Sequence, residues 1–252
     1  MEEIIGIIIF VIFCILVAFV LYMNTKKSRQ KAALTDLFKQ YIQPNITVEK
    51  EKEIKHAIEE MINIAKIMER DIAAIKESVI SSVITKIGED LIFTDDEAKY
   101  FKACLNKLGV KITDEDEKNL RTWQEHSNIL KGQISPIQVD YKLSKDEAAY
   151  FISKVSLKEL KHYSGRSKYA APYDQLIEKD KGDIILTNSR VIFVGPTKNI
   201  SIKFDKILMI KPYKDCIELH KGAGTPYYFM FQEPIKFFFM YKYLSQEKPI
   251  PR

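Results

Sequence analysis

The sequence predicts an α+β protein that starts with a transmembrane helix, continues as an α-helical region and ends in a small β-barrel or sandwich closed by one helix. Three observations predict this order. An uncharged apolar run lies near the start of the chain, apolar residues at heptad spacing follow it, and short alternating segments separated by turn residues occupy the last third. These periods distinguish helices from strands.

The apolar run predicts a membrane anchor. Nineteen of the twenty residues from Ile4 to Met23 are apolar, and the exception is Gly6. Twenty helical residues match a hydrocarbon core of roughly 30 Å. The run is longer than the apolar core of a signal peptide and has no basic segment before it, which favours an uncleaved anchor. We therefore predict an anchor over 1–23, with the span at about 4–23.

Basic residues directly after the run predict its orientation. Because positive charge is retained on the cytoplasmic side of a membrane, the N-terminus is expected outside. The protein would then be a single-pass protein of the plasma (inner) membrane with its bulk in the cytoplasm. Residues 24–46 are predicted to form a basic juxtamembrane stalk. The charges that carry this prediction are Lys26, Lys27, Arg29 and Lys31.

A heptad pattern predicts one long helix over about 47–88. Its apolar residues alternate in steps of four and three from Ile54 to Val79. Two structures fit this pattern, a helix in an intramolecular bundle and a coiled coil. Additional apolar residues beside the seam favour the bundle. The alternative is a homo-oligomer or a protein partner held through the heptad over 54–79.

Two shorter helices complete a helical region predicted over 47–132. Thr94 and Glu97 have capping-box spacing and predict a helix over 95–108. A second helix is predicted over 114–131. A connector over 133–147 then leads to the C-terminal part.

Residues 148–252 are predicted to form the β-rich domain. From 183 onwards, short apolar segments of strand character alternate with turn residues, as in an antiparallel barrel or sandwich. A closing helix is predicted from Glu233 to about Ser245, with Pro234 at its first position.

Two segments of this part carry a resemblance to a known family. Residues 182–194, Gly-Asp-Ile-Ile-Leu-Thr-Asn-Ser-Arg-Val-Ile-Phe-Val, resemble the hairpin of bacterial pleckstrin-homology-like (GRAM-like) domains. Residues 200–207, Ile-Ser-Ile-Lys-Phe-Asp-Lys-Ile, resemble the strand and bend that follow it. The resemblance implies a pleckstrin-homology-like domain that binds lipids, peptides or proteins, and it leaves 1–130 unmatched. Within the hairpin, Thr187 and Asn188 are expected to hold the turn and Arg190 to brace a neighbouring loop.

Two candidate binding surfaces follow from this reasoning. In pleckstrin-homology-like domains a basic loop of the first hairpin can hold an anionic lipid head group. The candidate anionic-ligand residues here are Lys161, Arg166, Lys168, Lys179 and Lys181. The closing helix is apolar on nearly all sides, which indicates a second neighbour beyond the sheet. Its candidate partner-surface residues are Phe238, Phe239 and Tyr243.

Catalytic motifs are absent from the sequence. The four histidines are isolated, and the chain has no glycine-rich phosphate loop or nucleophile elbow. We therefore predict no enzyme activity, no cofactor and no metal site. Only 6 of the 39 basic residues are arginine, which argues against nucleic-acid readout. The predicted function is a non-enzymatic, membrane-tethered interaction or scaffold protein that binds a protein partner. The alternatives are a lipid-binding or membrane-surface-sensing module and, less favoured, an enzyme.

Overall fold

The computed structural model describes the backbone of residues 2–163, 173–222 and 224–246, and the side chains of those ranges from residue 20 onwards. The chain divides into two compact units, Met1–Trp123 and Gln124–Arg252. The first unit is helical. The second contains the β-sheet.

The predicted membrane anchor is wrong. None of the helices in the described part of the chain has the length and apolar character needed to span a bilayer. The side chains of 4–19 lie outside the described residues. From residue 20 the first helix carries acidic and basic side chains, and it buries Leu34 and Phe38 in a protein core. The predictions of a single-pass protein and of a plasma-membrane location depended on this anchor, so they are wrong as well.

Five helices form the first part of the chain, and the last of them continues into the second unit. They are α1 (Glu2–Tyr41), α2 (Val48–Ala65), α3 (Glu69–Ile87), α4 (Asp95–Leu108) and α5 (Asp114–Leu130). The capping box of α4 is present in both directions: Thr94 Oγ1 accepts from the Glu97 amide, and Glu97 Oε2 accepts from the Thr94 amide. Helix α4 ends at Gly109, whose φ of 64° favours glycine.

The residues to which the sequence assigned an orientation role lie on α1. Lys31 Nζ donates to Asp71 Oδ1 at 2.9 Å, and Lys27 Nζ lies 3.7 Å from Asp71 Oδ2. The hydrogen bond from Lys31 is the main cause that lowers the pKa of Asp71. Lys26 and Arg29 are exposed. Two of the four charges therefore attach α1 to α3 and belong to the helical unit.

The predicted long helix over 47–88 is interrupted, so the coiled-coil prediction is wrong. Helix α2 ends at Ala65 and α3 begins at Glu69, with Lys66 in the left-handed region at φ 48°. A coiled-coil seam needs one continuous helix. Heptad residues on both sides of the break, Ile58 and Val79 among them, are buried in the core that α1 also enters, whereas Met68 at the break is 43% exposed. The chain's own helices thus cover most of the apolar stripe.

After α5, the described residues of the second unit form seven antiparallel strands and one α-helix. The strands are β1 (Ala149–Tyr163), β2 (Tyr173–Thr187), β3 (Arg190–Val194), β4 (Asn199–Lys203), β5 (Ile207–Pro212), β6 (Cys216–Lys221) and β7 (Tyr227–Met230), and the helix is α6 (Pro234–Leu244). Their order in the sheet is β4-β3-β2-β1-β7-β6-β5. The sequence predicted a β-rich C-terminal part with a closing helix, and its strands form one seven-stranded antiparallel sheet.

The two faces of the sheet are covered by different segments. On one face, alternating strand residues pack with Phe237 of α6; this core includes Leu157, Phe193, Leu219 and Phe229, all fully buried. On the other face, the segment 133–148 lies over β1 to β3. Its side chains Val139, Tyr141 and Leu143 pack against Ala149, Ile185 and Ile192. The segment predicted as a connector therefore covers part of the second face of the sheet.

Candidate functional site on the β1–β2 arm

Strands β1 and β2 extend beyond the rest of the sheet. Each has 15 residues, whereas strands usually have about 5–6. β7 pairs with β1 only over 156–159, and β3 pairs with β2 only over 183–186. Within the described residues, 160–163 and 173–176 pair only with each other. We call these two segments the arm.

The arm exposes apolar side chains on both faces. Leu160 lies opposite Leu176 on one face, and these side chains are 40% and 36% exposed. On the other face Tyr163 and Tyr173 stack, with ring centroids 5.1 Å apart and an interplanar angle of 14°. Successive residues of a strand point to opposite faces, which places these two pairs on different sides. Cross-strand pairs hold the ribbon together, yet its outer surfaces stay open.

The described basic residues of the candidate anionic-ligand loop do not converge. Lys161 Nζ lies 4.9 Å from the centroid of the Tyr163 ring. Lys161 is opposite Gln175, six positions before Lys181, so the two lysines are roughly 20 Å apart along the strand at about 3.3 Å per residue. Arg166 and Lys168 lie outside the described residues.

The lysines at the base of the arm have carboxylate neighbours. Lys181 Nζ is 3.3 Å from Glu178 Oε1, and Lys179 Nζ is 3.7 Å from Glu159 Oε2. Lys198 also donates to Glu159 Oε1 at 2.6 Å, and this bond is the main cause that lowers the pKa of Glu159. Charge-assisted phosphate sites need several donors aimed at one point. Lys179 and Lys181 instead have carboxylate neighbours, and Lys161 lies apart from them beside the Tyr163 ring.

A fixed corner joins the arm to the sheet. Asp180 Oδ2 accepts from the amides of Thr197 and Lys198, at 3.0 and 2.8 Å, and thereby holds the β3–β4 turn. Gly182 lies so close to β3 that an added Cβ would come within 2.0 Å of the Val194 carbonyl oxygen. Gly182 of the hairpin motif is thus required because the backbone of β3 lies too close for a side chain at this position.

Glu147 and Arg190 form a clasp at the opposite end of the hairpin. The Arg190 Nε and Nη2 atoms donate to the two carboxylate oxygens of Glu147, each at 2.7 Å. Thr187 Oγ1 also donates to Glu147 Oε1 at 2.7 Å, and the Glu147 side chain is only 5% exposed. The hydrogen bonds from Arg190, as the largest cause, lower the pKa of Glu147 to about 2.

The clasp confirms the bracing role expected for Arg190. Thr187 also bonds the backbone of Ser189 and Arg190, as the turn prediction required. Sequence reasoning missed Glu147, because its partner lies 43 residues further along the chain. The clasp holds the segment 133–148 against the β2–β3 turn.

Helix α6 packs against the end of α5 as well as the sheet. Phe239 is 4% exposed and stacks on the ring of His126, with centroids 4.6 Å apart. Lys236 Nζ lies 2.7 Å from Glu125 Oε1. Of the other candidate partner-surface residues, Phe238 is half-buried against the sheet core and Tyr243 is half-buried near Gly132. The second neighbour that the apolar helix indicated is therefore supplied by this chain.

Comparisons with known proteins add little to this geometry. No protein-family model matches the chain, and no curated protein is similar to it. Among solved structures, it is similar to one from a study of the PH and C1 domains of the Vav1 exchange factor, at 11% sequence identity. The TM-score is 0.27, and the match covers 88% of this chain and 62% of that chain. Similarity at that TM-score establishes neither fold nor function.

Proposed function

We propose that the chain is a non-enzymatic interaction protein whose C-terminal unit binds a protein partner through the β1–β2 arm. The observation that carries the proposal is the open apolar surface of the arm, with Leu160 and Leu176 on one face and Tyr173 on the other. Exposed apolar patches of this kind mark interaction sites. Strand edges without a partner can also add a strand from another protein.

The charges of the arm favour a protein over an anionic lipid surface. At the base of the arm, Lys179 and Lys181 have carboxylate neighbours that partly neutralise their attraction to phosphate, and Lys161 lies beside the Tyr163 ring, apart from both. The side chain of Tyr173 is 57% exposed, and tyrosine is among the residues enriched at protein interfaces. A lipid-binding module is the alternative that the experiment separates.

The test compares two variants of the full chain. Leu160→Glu/Leu176→Glu places charge on the arm, and the matched control Leu208→Glu places charge on β5, where the leucine is 72% exposed. A photo-crosslinker at position 175 captures the partner in cells of the source organism. The partner is then identified, purified and titrated against each variant. We expect the arm variant to bind about 10-fold or more weakly, because interface anchors each contribute over about 1 kcal/mol, and the control to bind like the parent.

Two outcomes contradict the proposal. If the arm variant and the parent bind the purified partner with equal affinity, the interface lies elsewhere on the chain. Salt-sensitive binding to anionic but not neutral vesicles, without a captured protein, would establish the lipid alternative instead. Thermal unfolding of both variants checks that the added charges leave the sheet folded.

A further inference from the structure

An open groove with a volume of about 570 Å³ runs between α1 and α2 in the first unit. Every lining residue in the described part of the chain belongs to one of these two helices. Along α1 the groove extends from Gln30 to Gln40, which is about 15 Å at roughly 1.5 Å per residue. That length corresponds to about three turns of a helix.

Helix α1 presents a second apolar stripe to the groove. Its first stripe, with Leu34 and Phe38, is buried in the core of the helical unit. Ala33 and Leu37 each lie one position earlier in the helix and line the groove. A helix that is apolar on two sides usually has two neighbours, and only one of them is evident here.

Helix α2 has the same arrangement. Ile58 is buried in the core, whereas Ala57, Met61 and Ile64, spaced by four and then three residues, line the groove. The side chain of Ile64 is 72% exposed. Spacing of three and four residues is the period at which side chains share one face of a helix. The second stripes of the two helices therefore form one apolar surface.

The shape of this surface favours a helix as its occupant. Both walls are helices whose backbone groups are paired within the helix, so they offer no edge to an added strand. Rows of side chains on two adjacent helices receive the ridge of a third helix. Ala33, Ala57 and Ala65 lie among the lining residues, and small side chains allow a partner backbone to approach closely.

The charge of the groove favours a basic occupant. Among the described residues that line it, the two charged ones are both acidic, Asp36 on α1 and Glu60 on α2. Both are exposed, and neither has an ion-pair or hydrogen-bond partner among the described residues. The part of α1 whose side chains are not described, 1–19, contains no lysine or arginine. Unpaired charges of one sign beside an apolar surface select a partner of the opposite sign.

We propose that the groove between α1 and α2 binds an amphipathic helix of a partner protein, with lysine or arginine beside the apolar stripe of that helix. The apolar stripe packs on Leu37, Met61 and Ile64, and the basic side chains pair with Asp36 and Glu60. This mode is the docking of a helix into a groove. The groove lies in the first unit and shares no residue with the arm, so this site is independent of the function proposed above.

The first experiment titrates the purified full chain with two synthetic peptides. Each has about 18 residues, long enough to form a helix readily, with leucine at helical spacing and alanine elsewhere. One peptide carries lysines beside the leucine stripe, and the other carries glutamates at the same positions. We expect the lysine peptide to bind saturably and about 5-fold or more tightly than the glutamate peptide, with a smaller difference at high salt because salt screens exposed charges. Equal affinities, or no saturable binding of the lysine peptide, overturn the proposal.

Variants of the chain locate the site. Asp36→Lys/Glu60→Lys should invert the preference, so that the glutamate peptide binds more tightly. The control Glu77→Lys/Glu115→Lys makes the same change in net charge at exposed residues that do not line the groove, and should keep the preference of the parent. If the control also inverts the preference, overall charge determines binding and the assignment to the groove is wrong.

A second pair of variants tests the apolar contact. Ile64→Ser should weaken the lysine peptide several-fold, whereas Val48→Ser, at a residue that is 66% exposed and outside the groove, should not. Both side chains are exposed, so both variants should unfold at the temperature of the parent. Equal effects of the two substitutions contradict the proposal.

Two further measurements examine other occupants of the groove. If the parent is a dimer by light scattering and Ile64→Ser is a monomer, the occupant is a second copy of the chain. If neutral phosphatidylcholine vesicles retain the parent but not Ile64→Ser, the surface contacts lipid. Either result contradicts the proposal, whereas a parent that is monomeric and not retained supports it.

Discussion

The inner and outer halves of the β1–β2 ribbon share one ladder of backbone hydrogen bonds but differ in what covers them. In the inner half, Leu157 and Leu186 are fully buried in the core that α6 enters, and side chains of the segment 133–148 pack on Ala149 and Ile185 of the other face. In the outer half the ladder continues to Tyr163 and Tyr173, yet Leu160 is 40% exposed. Backbone pairing alone therefore does not show which part of a strand stabilises the fold. The packing of other segments against the two faces of the strand does.

Truncation of one leucine in each half should give the largest contrast. Leu157→Ala leaves a cavity in the core and should lower the free energy of unfolding by about 3 kcal/mol, whereas Leu160→Ala should cost less than about 0.5 kcal/mol. Native-state hydrogen exchange of the β1 and β2 amides measures both, because the chain has two units and one global transition cannot be assumed. Similar losses for the two variants would mean that the outer half is packed.

The clasp should give the next largest effect. Arg190→Ala leaves the buried Glu147 carboxylate without its cation and should destabilise the second unit by about 2 kcal/mol, below the range for fully buried pairs because Arg190 is partly exposed. The same exchange measurement applies. Lys154→Ala, which breaks an exposed ion pair with Asp183, is the matched control and should change little.

The clasp also predicts a pH dependence. The pKa of Glu147 is about 2 in the folded chain against an ordinary value of 4.5, so the folded state holds this carboxylate more strongly charged than the unfolded state does. Its contribution is complete above about pH 4.5 and is lost as the pH falls from there towards 2. Arg190→Ala should flatten the stability profile of the second unit over this interval. An unchanged slope would show that other carboxylates determine it.

Local signals in the sequence predicted local structure well. Thr94 and Glu97, three residues apart, cap the start of α4, and Gly109 directly follows its last residue. Thr187 holds its turn through neighbouring backbone groups. In these places the interacting groups are close in the sequence, so the residue types and their spacing were enough to predict the local structure.

Features that depend on distant residues could not be predicted. The break at Lys66 contains neither glycine nor proline, and the heptad continues through it. Glu147 and Phe239 acquire their partners Arg190 and His126 only when the sheet unit forms. For the candidate site, the sequence analysis selected lysines of the first hairpin, whereas the feature that distinguishes the arm is that no third described strand pairs with it.

The smallest expected effect concerns the exposed ion pair of the arm. His162 Nδ1 and Asp174 Oδ1 are 2.7 Å apart, and both side chains are more than half exposed. Surface pairs of this kind often contribute nothing measurable, so His162→Gln should leave amide exchange in β1 and β2 unchanged. Faster exchange that spreads into the inner half would show that the two halves are coupled.

The burial of the α1 terminus has a practical consequence for anyone who shortens this protein. Leu34, Phe38 and Ile42 are core residues of the first unit, and Lys31 anchors the same stretch to α3 through Asp71. A fragment trimmed to begin at α2 would leave the apolar stripes of α2 and α3 uncovered and prone to aggregation. A safe truncation point therefore lies before Lys31, so that this part of α1 is retained even when the helical region alone is the object of study.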